Sequence, residues 1–166
     1  MNIFVSFASQ DRKYVDSFIN ESYKYKKNDL WVSYQKKIPP GSNFKNYINN
    51  AIDDSDGAIL LVSRDFLSSE FINEIELPRI LEKAKNPKYK LAVVLIDDCE
   101  YEDNKQLKNI QFINSPSKPL FTSSINEYSE IMENTFDSFK KSNKRNPLFP
   151  IIIFGMVLSF IFINFG

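Results

Sequence analysis

Five short apolar runs punctuate the first 121 residues, and the spacing between them organises the chain. They are Ile3–Phe7, Leu30–Tyr34, Ala58–Val62, Leu91–Ile96 and Pro119–Phe121, the third and fourth almost uninterrupted. Unbroken apolar runs of this length suit strands covered on both faces of a parallel sheet. Between them lie stretches long enough for crossover helices: Gln10–Tyr23, Ser42–Ile52, Ser69–Ala84, a short one at Asn104–Ile110, and Ile125–Lys140. Strand and helix alternating in this way predict an α/β fold, a doubly wound five-stranded parallel sheet in the flavodoxin-like order 2-1-3-4-5. Winding reverses between strands one and three, so a ligand crevice is expected there, beside Ser6–Gln10 and the segment after Ser63.

The tail follows a different pattern. No charged residue occurs from Pro147 onward, and Leu148–Phe165 is built of Ile, Phe, Leu, Val and Met, interrupted by Pro150, Gly155, Ser159 and Asn164. About 20 apolar residues at 1.5 Å each cover the roughly 30 Å hydrocarbon layer, so residues 148–166 read as one C-terminal transmembrane helix. Lys140, Lys141, Lys144 and Arg145 precede it, which by the positive-inside bias keeps that flank in the cytoplasm. The expected organisation is a domain over 1–141, a basic linker over 142–147 and a single-pass anchor, with no secretory leader at Met1.

Composition narrows the chemistry. The 166 residues contain 21 basic and 21 acidic side chains, one cysteine and no histidine. A neutral balance gives no field for duplex nucleic acid, and no direct nucleic-acid partner is expected. A Cys/His zinc site, a Ser-His-Asp triad and a Cys-His dyad are excluded by residue count, and no metal site is expected. The cluster Asp53-Asp54-Ser55-Asp56 lacks the later ligands of a calcium loop and reads as a solvated helix end. Chemistry must run on carboxylates, hydroxyls, lysines or backbone dipoles.

Three segments fall near the expected crevice. Ser6-Phe7-Ala8-Ser9-Gln10-Asp11 is a strand end running into small and polar residues; it either frees backbone N–H groups for an anion or is an ordinary turn with Ser9 or Asp11 as helix cap. In Lys36-Lys37-Ile38-Pro39-Pro40-Gly41-Ser42 two prolines stiffen a loop, a composition shared by recognition elements and plain linkers. In the third segment Ser69 is a plausible N-cap, and Phe71, Ile72 and Ile75 form an inward stripe. On a 100° wheel Glu74 and Glu76 lie on opposite flanks of that stripe, each roughly 95° from its centre, so periodicity does not choose between them. Beyond Pro78 the stripe of Leu77, Ile80, Leu81 and Ala84 swings to nearly the opposite side, and the proline ring is expected to kink the helix.

Taken in order, Ile3-Phe4-Val5-Ser6-Phe7-Ala8-Ser9-Gln10-Asp11, Leu30-Trp31-Val32, Ile38-Pro39-Pro40-Gly41-Ser42 with Ile48 and Ala51-Ile52, Ser63-x-x-Phe66-Leu67-x-Ser69 and Glu76-Leu77-Pro78 resemble a bacterial-type Toll/interleukin-1 receptor (TIR) domain. Gln111-Phe112-Ile113-Asn114 and Lys118-Pro119-Leu120 resemble that family's approach to its last strand. The resemblance covers about residues 1–140. It implies a self-association loop at Lys37, Ile38, Pro39, Pro40 and Gly41, and therefore a homo-oligomer built through TIR–TIR contacts.

Many bacterial members of the family split nicotinamide from NAD+, and some cyclise the product. The resemblance places their key glutamate at Glu76, with Glu74 as runner-up because the count from Phe71 differs by one residue between branches. It assigns Ser6, Phe7 and Ala8 to the nucleotide side and Phe71 to the position where many relatives place a tryptophan against the substrate. NAD+ is then substrate, and no cofactor is implied. Two departures stand out: Ser33 replaces an acidic residue, and Phe71-Ile72 replaces the commoner Trp-Cys. The functions implied are an NAD+ glycohydrolase or cyclase in antiviral defence, answering an upstream sensor protein. The alternatives are a membrane-tethered adaptor without activity and a membrane-disrupting effector.

Overall fold

The structure, a computed structural model, describes residues 1–25, the backbone of 31–33, and residues 43–140. The loop residues Lys37, Ile38, Pro39, Pro40 and Gly41, the linker 142–147 and the tail 148–166 lie outside the described residues. Among the described residues no helix is long and apolar enough to cross a membrane.

Strands β1 (Asn2–Ser6), β2 (Trp31–Ser33), β3 (Gly57–Val62) and β4 (Lys90–Leu95) form one parallel sheet in the order β2-β1-β3-β4. Their register is set by pairs such as Ile3 with Val32, Phe4 with Ala58 and Leu60 with Val93. This is the predicted order for the first four strands, with winding reversed between β1 and β3.

Alternate residues of each strand enter separate apolar layers. Ile3, Val5, Ile59, Leu61 and Val94 pack with Val15 and Phe18 of α1 (Arg12–Ser22) and with Met132 and Phe136 of α5 (Ile125–Asp137). Phe4, Leu60, Val62, Val93 and Leu95 pack on the other face with Ile48 and Ile52 of α2 (Phe44–Asp53), Phe66 of α3 (Arg64–Ser68), and Leu77 and Ile80 of α4 (Leu77–Ala84). Burial on both faces explains the unbroken apolar runs; each enclosed Leu, Ile or Val contributes about 1.5–3 kcal/mol relative to exposure. Gly57 opens β3 where a Cβ would stand 2.6 Å from the Lys90 carbonyl oxygen and 2.9 Å from the Phe139 ring.

The fifth strand is a correction. Pro119–Phe121 does not form a regular strand; residues 113–121 follow the outer edge of β4 irregularly. Ile113 N–H donates to Val93 O, Leu120 N–H to Leu95 O and Phe121 N–H to Ile96 O. The Asn114 side chain accepts from Leu95 N–H and donates to the Leu95 and Lys118 carbonyls. A side-chain amide thus does the work of a peptide group, and Pro116 and Pro119 have no N–H for a ladder. The expected helix at Asn104–Ile110 is likewise a series of turns, preceded by a 3₁₀ turn at Tyr101–Asp103.

Candidate functional site

The helix after β3 is not one regular rod. Ser63 caps α3, its Oγ accepting from Phe66 N–H, and Ser69 begins the next segment with Ile72 N–H at 3.4 Å from its Oγ. Residues Ile72–Glu76 form a π-turn that runs straight into α4, with Leu77 N–H donating to Ile72 O, five residues back. Just before Pro78, where a kink is expected, the turn thus carries an extra residue.

That residue decides which glutamate faces inward. An i→i+5 turn holds about 4.4 residues, about 82° each instead of 100°, so five such residues remove about 90° of rotation. The Leu77/Ile80 stripe swings back toward the Ile72 stripe, and Glu76 moves from a flank onto the face they share. Accordingly Ile72, Glu76, Leu77 and Ile80 are buried, Ile75 is half-buried and Glu74 is exposed. Glu76 is only 2% exposed.

Opposite it is Ser6, the last residue of β1, on the strand face shared with Phe4. Its Oγ donates to Glu76 Oε2 at 2.6 Å. Burial pushes the Glu76 carboxyl up to about 7, against the pull of the Ser6 hydroxyl, which favours the ionised form. A second carboxyl lies at the same end of the sheet. Asp11 is 7% exposed, and its Oδ2 accepts from Ser63 Oγ at 2.6 Å. Burial raises it above the ordinary carboxylate value, Ser63 lowers it, and Asp65 and Asp97 raise it further. Ser63 thus joins the start of the α1 arm to the turn after β3, as donor to Asp11 and as acceptor for Phe66.

Of the residues expected at the site, Ser6 and Glu76 come together. Phe7 and Ala8 sit beside them in the chain, but their side chains are buried in opposite apolar layers, so they offer a ligand backbone groups only. Phe71 is partly buried and packs against Phe44, ring centroids 4.9 Å apart at 56°. Asp11 enters the sequence reading only as a helix cap; Ser9–Asp11 is a 3₁₀ turn, and neither Ser9 nor Asp11 caps through its side chain. The pairing of Asp11 with Ser63 links positions 52 apart, and no local pattern announces it. A cleft of about 690 Å³ lies nearby, lined by Arg64, Leu67, Ser68, Asp98, Cys99 and Glu102 among others, and none of Ser6, Phe7, Ala8, Phe71 or Glu76 lines it. Burial and the carboxylates Asp97, Asp98 and Glu102 push the Cys99 thiol up to about 11, which leaves it unreactive. That cleft therefore does not contain the Ser6–Glu76 pair.

The family model for the TIR domain matches residues 3–132. The chain belongs to the TIR-domain family. Among solved structures, the TIR domains in the activated Roq1 resistosome directly recognising the pathogen effector XopQ are 19% identical over 82% of each chain, with a TM-score of 0.49. A search of curated proteins finds no match. The TIR assignment therefore rests on the family model together with the sheet order and crossover helices described above.

Proposed function

We propose that this TIR domain is an NAD+ glycohydrolase that becomes active on self-assembly, with Glu76 as its catalytic carboxylate. The observation that carries the proposal is the buried Glu76 carboxyl, held by Ser6 at the end of β1, in a family with NAD+-cleaving members. Cleaving the nicotinamide–ribose bond leaves a sugar carbon with oxocarbenium character; one carboxylate beside it stabilises the charge. The bonding electrons leave with nicotinamide, which departs neutral and needs no general acid. Water then adds to the sugar carbon and releases one proton, or a nucleophile within the product closes a ring. A chain without histidine can carry out these steps.

Substrate contacts are proposed for Phe71 and for the backbone around Ser6, Phe7 and Ala8. The loop Lys37–Gly41 is proposed to join neighbouring subunits, and the apolar tail 148–166 to anchor them with the domain on the cytoplasmic side. An upstream sensor and a role in antiviral defence complete the reading. Its test is to cluster the full chain on vesicles, add NAD+, and follow nicotinamide release together with the mass of the second product. Release, with ADP-ribose or its cyclic form, supports the proposal; clustered chain that leaves NAD+ intact overturns it.

One observation favours a second reading as a non-enzymatic adaptor: Glu76 is closed off from solvent in the single domain. A clustered preparation that captures another TIR domain without consuming NAD+ selects the adaptor.

A further inference from the structure

The inward turn of Glu76 leaves one backbone group that its own helix does not satisfy. Because Leu77 N–H is taken by Ile72 O, the Asn73 carbonyl loses the partner that an α-helix would give it. The next residue able to reach it is Pro78, which has no N–H. The orphan carbonyl is instead met from outside the helix. Gln106 Nε2 donates to Asn73 O at 3.1 Å. Asn104 Nδ2 donates to Asn73 Oδ1 at 3.1 Å, while Asn73 Nδ2 donates to the Leu67 and Ser69 carbonyls at 2.8 Å each. Asn104 in turn folds its own loop, its Oδ1 accepting from Gln106 and Leu107 N–H, and the fully buried Leu107 fixes that loop to the core.

The alternative arrangement is chemically available. If Leu77 N–H returns to Asn73 O, the turn becomes α-helical and the Asn73 carbonyl is satisfied within the helix, while Glu74 O, on the exposed side, has Pro78 where its α-helical donor would be. The wheel then carries Ile75 to the centre of the inward stripe and Glu76 back to its flank. Ile75, half-buried in the π-turn, and the buried acid Glu76 favour that register, whereas the buried Leu77 and Ile80, which it would turn away, favour the π-turn. Packing thus pulls both ways, and a hydrogen bond from outside the helix to the Asn73 carbonyl adds to the π-turn side.

We propose that Gln106, supported by Asn104, is a positioning residue that helps select the register in which Glu76 turns inward onto Ser6. It competes with Leu77 N–H for the Asn73 carbonyl and, with the burial of Leu77 and Ile80, tips the helix toward the π-turn while its loop is in place. This inference concerns the position of Glu76; a catalytic consequence rests on the NAD+ reading above.

The test needs no activity. It is a double-mutant cycle on the full chain in neutral detergent, combining Glu76→Gln with Gln106→Met or with Gln106→Glu, which keeps the shape and removes the donor. The readout is the change in melting temperature caused by Glu76→Gln at pH 8 minus that at pH 5. Burial and the Ser6 hydroxyl are the influences on Glu76, and the neighbouring acid Asp11 is present in every variant and cancels. With Gln106 intact the increment is positive. In both Gln106 backgrounds it should fall to less than half, because Glu76 then meets solvent. An exposed control, Lys108→Ala, should leave it unchanged. An increment of the same size with and without the Gln106 donor overturns the proposal, whatever the protein does to NAD+.

Discussion

Replacing Glu76 by Gln removes a titrating group from an apolar position while keeping its shape, so its effect on stability should depend on pH in a calculable way. The folded-state value is raised from 4.5 to about 7. The fold therefore binds this proton more tightly than the unfolded chain does. That stabilisation is complete below about pH 4.5 and lost as pH rises through about 7. At about 1.4 kcal/mol per pH unit the loss amounts to about 3 kcal/mol as an upper figure. Gln does not titrate, so the stability of Glu76→Gln relative to wild type should rise by up to about 3 kcal/mol between pH 5 and pH 8, whatever constant offset the amide introduces. For a domain of this size that corresponds to roughly 6–12 °C in melting temperature. Calorimetry of both proteins at several pH values measures the difference directly. A difference that stays constant across this range would refute the claim that Glu76 is buried and held mainly by one hydroxyl.

Other consequences follow from the same contacts. Ser6→Ala removes the donor that favours the ionised carboxyl, so Glu76 should titrate above about 7 and the fold should lose about 1–3 kcal/mol at pH 8 and less at pH 5, read from urea midpoints at the two values. Ser63→Ala strips α3 of its cap and Asp11 of its donor; a loss of about 1–3 kcal/mol is expected, and one below about 0.5 kcal/mol would show that neither bond matters. Gly57→Ala forces a methyl against the Lys90 carbonyl and the Phe139 ring, at about 1–3 kcal/mol, again by urea titration.

Much of this architecture is legible in the order of residues. Continuous apolar runs at Ile3–Phe7, Ala58–Val62 and Leu91–Ile96 mark doubly covered strands, and the crossovers between them set the order of four. The fifth run is misleading because Pro119 and the Asn114 amide allow the segment to follow β4 without a ladder, and side-chain mimicry of a peptide leaves no periodic trace. The helix Ser69–Ala84 shows the opposite case. Its two apolar stripes disagree by nearly half a turn at 100° per residue, a mismatch visible in the sequence. Read as a kink at Pro78, the mismatch leaves Glu74 and Glu76 equivalent; read as one extra residue in the turn, it favours Glu76. Only the structure distinguishes these, because the partner of the freed Asn73 carbonyl, Gln106, comes from 33 positions away.

The central claim is that the carboxyl bonded to Ser6 is the group that acts on NAD+. Its most direct test compares nicotinamide release at pH 8 by wild type and Glu76→Gln, both as full chains clustered to the same density and shown by calorimetry to be folded. The account predicts release by wild type and a loss of roughly a hundredfold or more in the variant. Equal rates in the two proteins would contradict it.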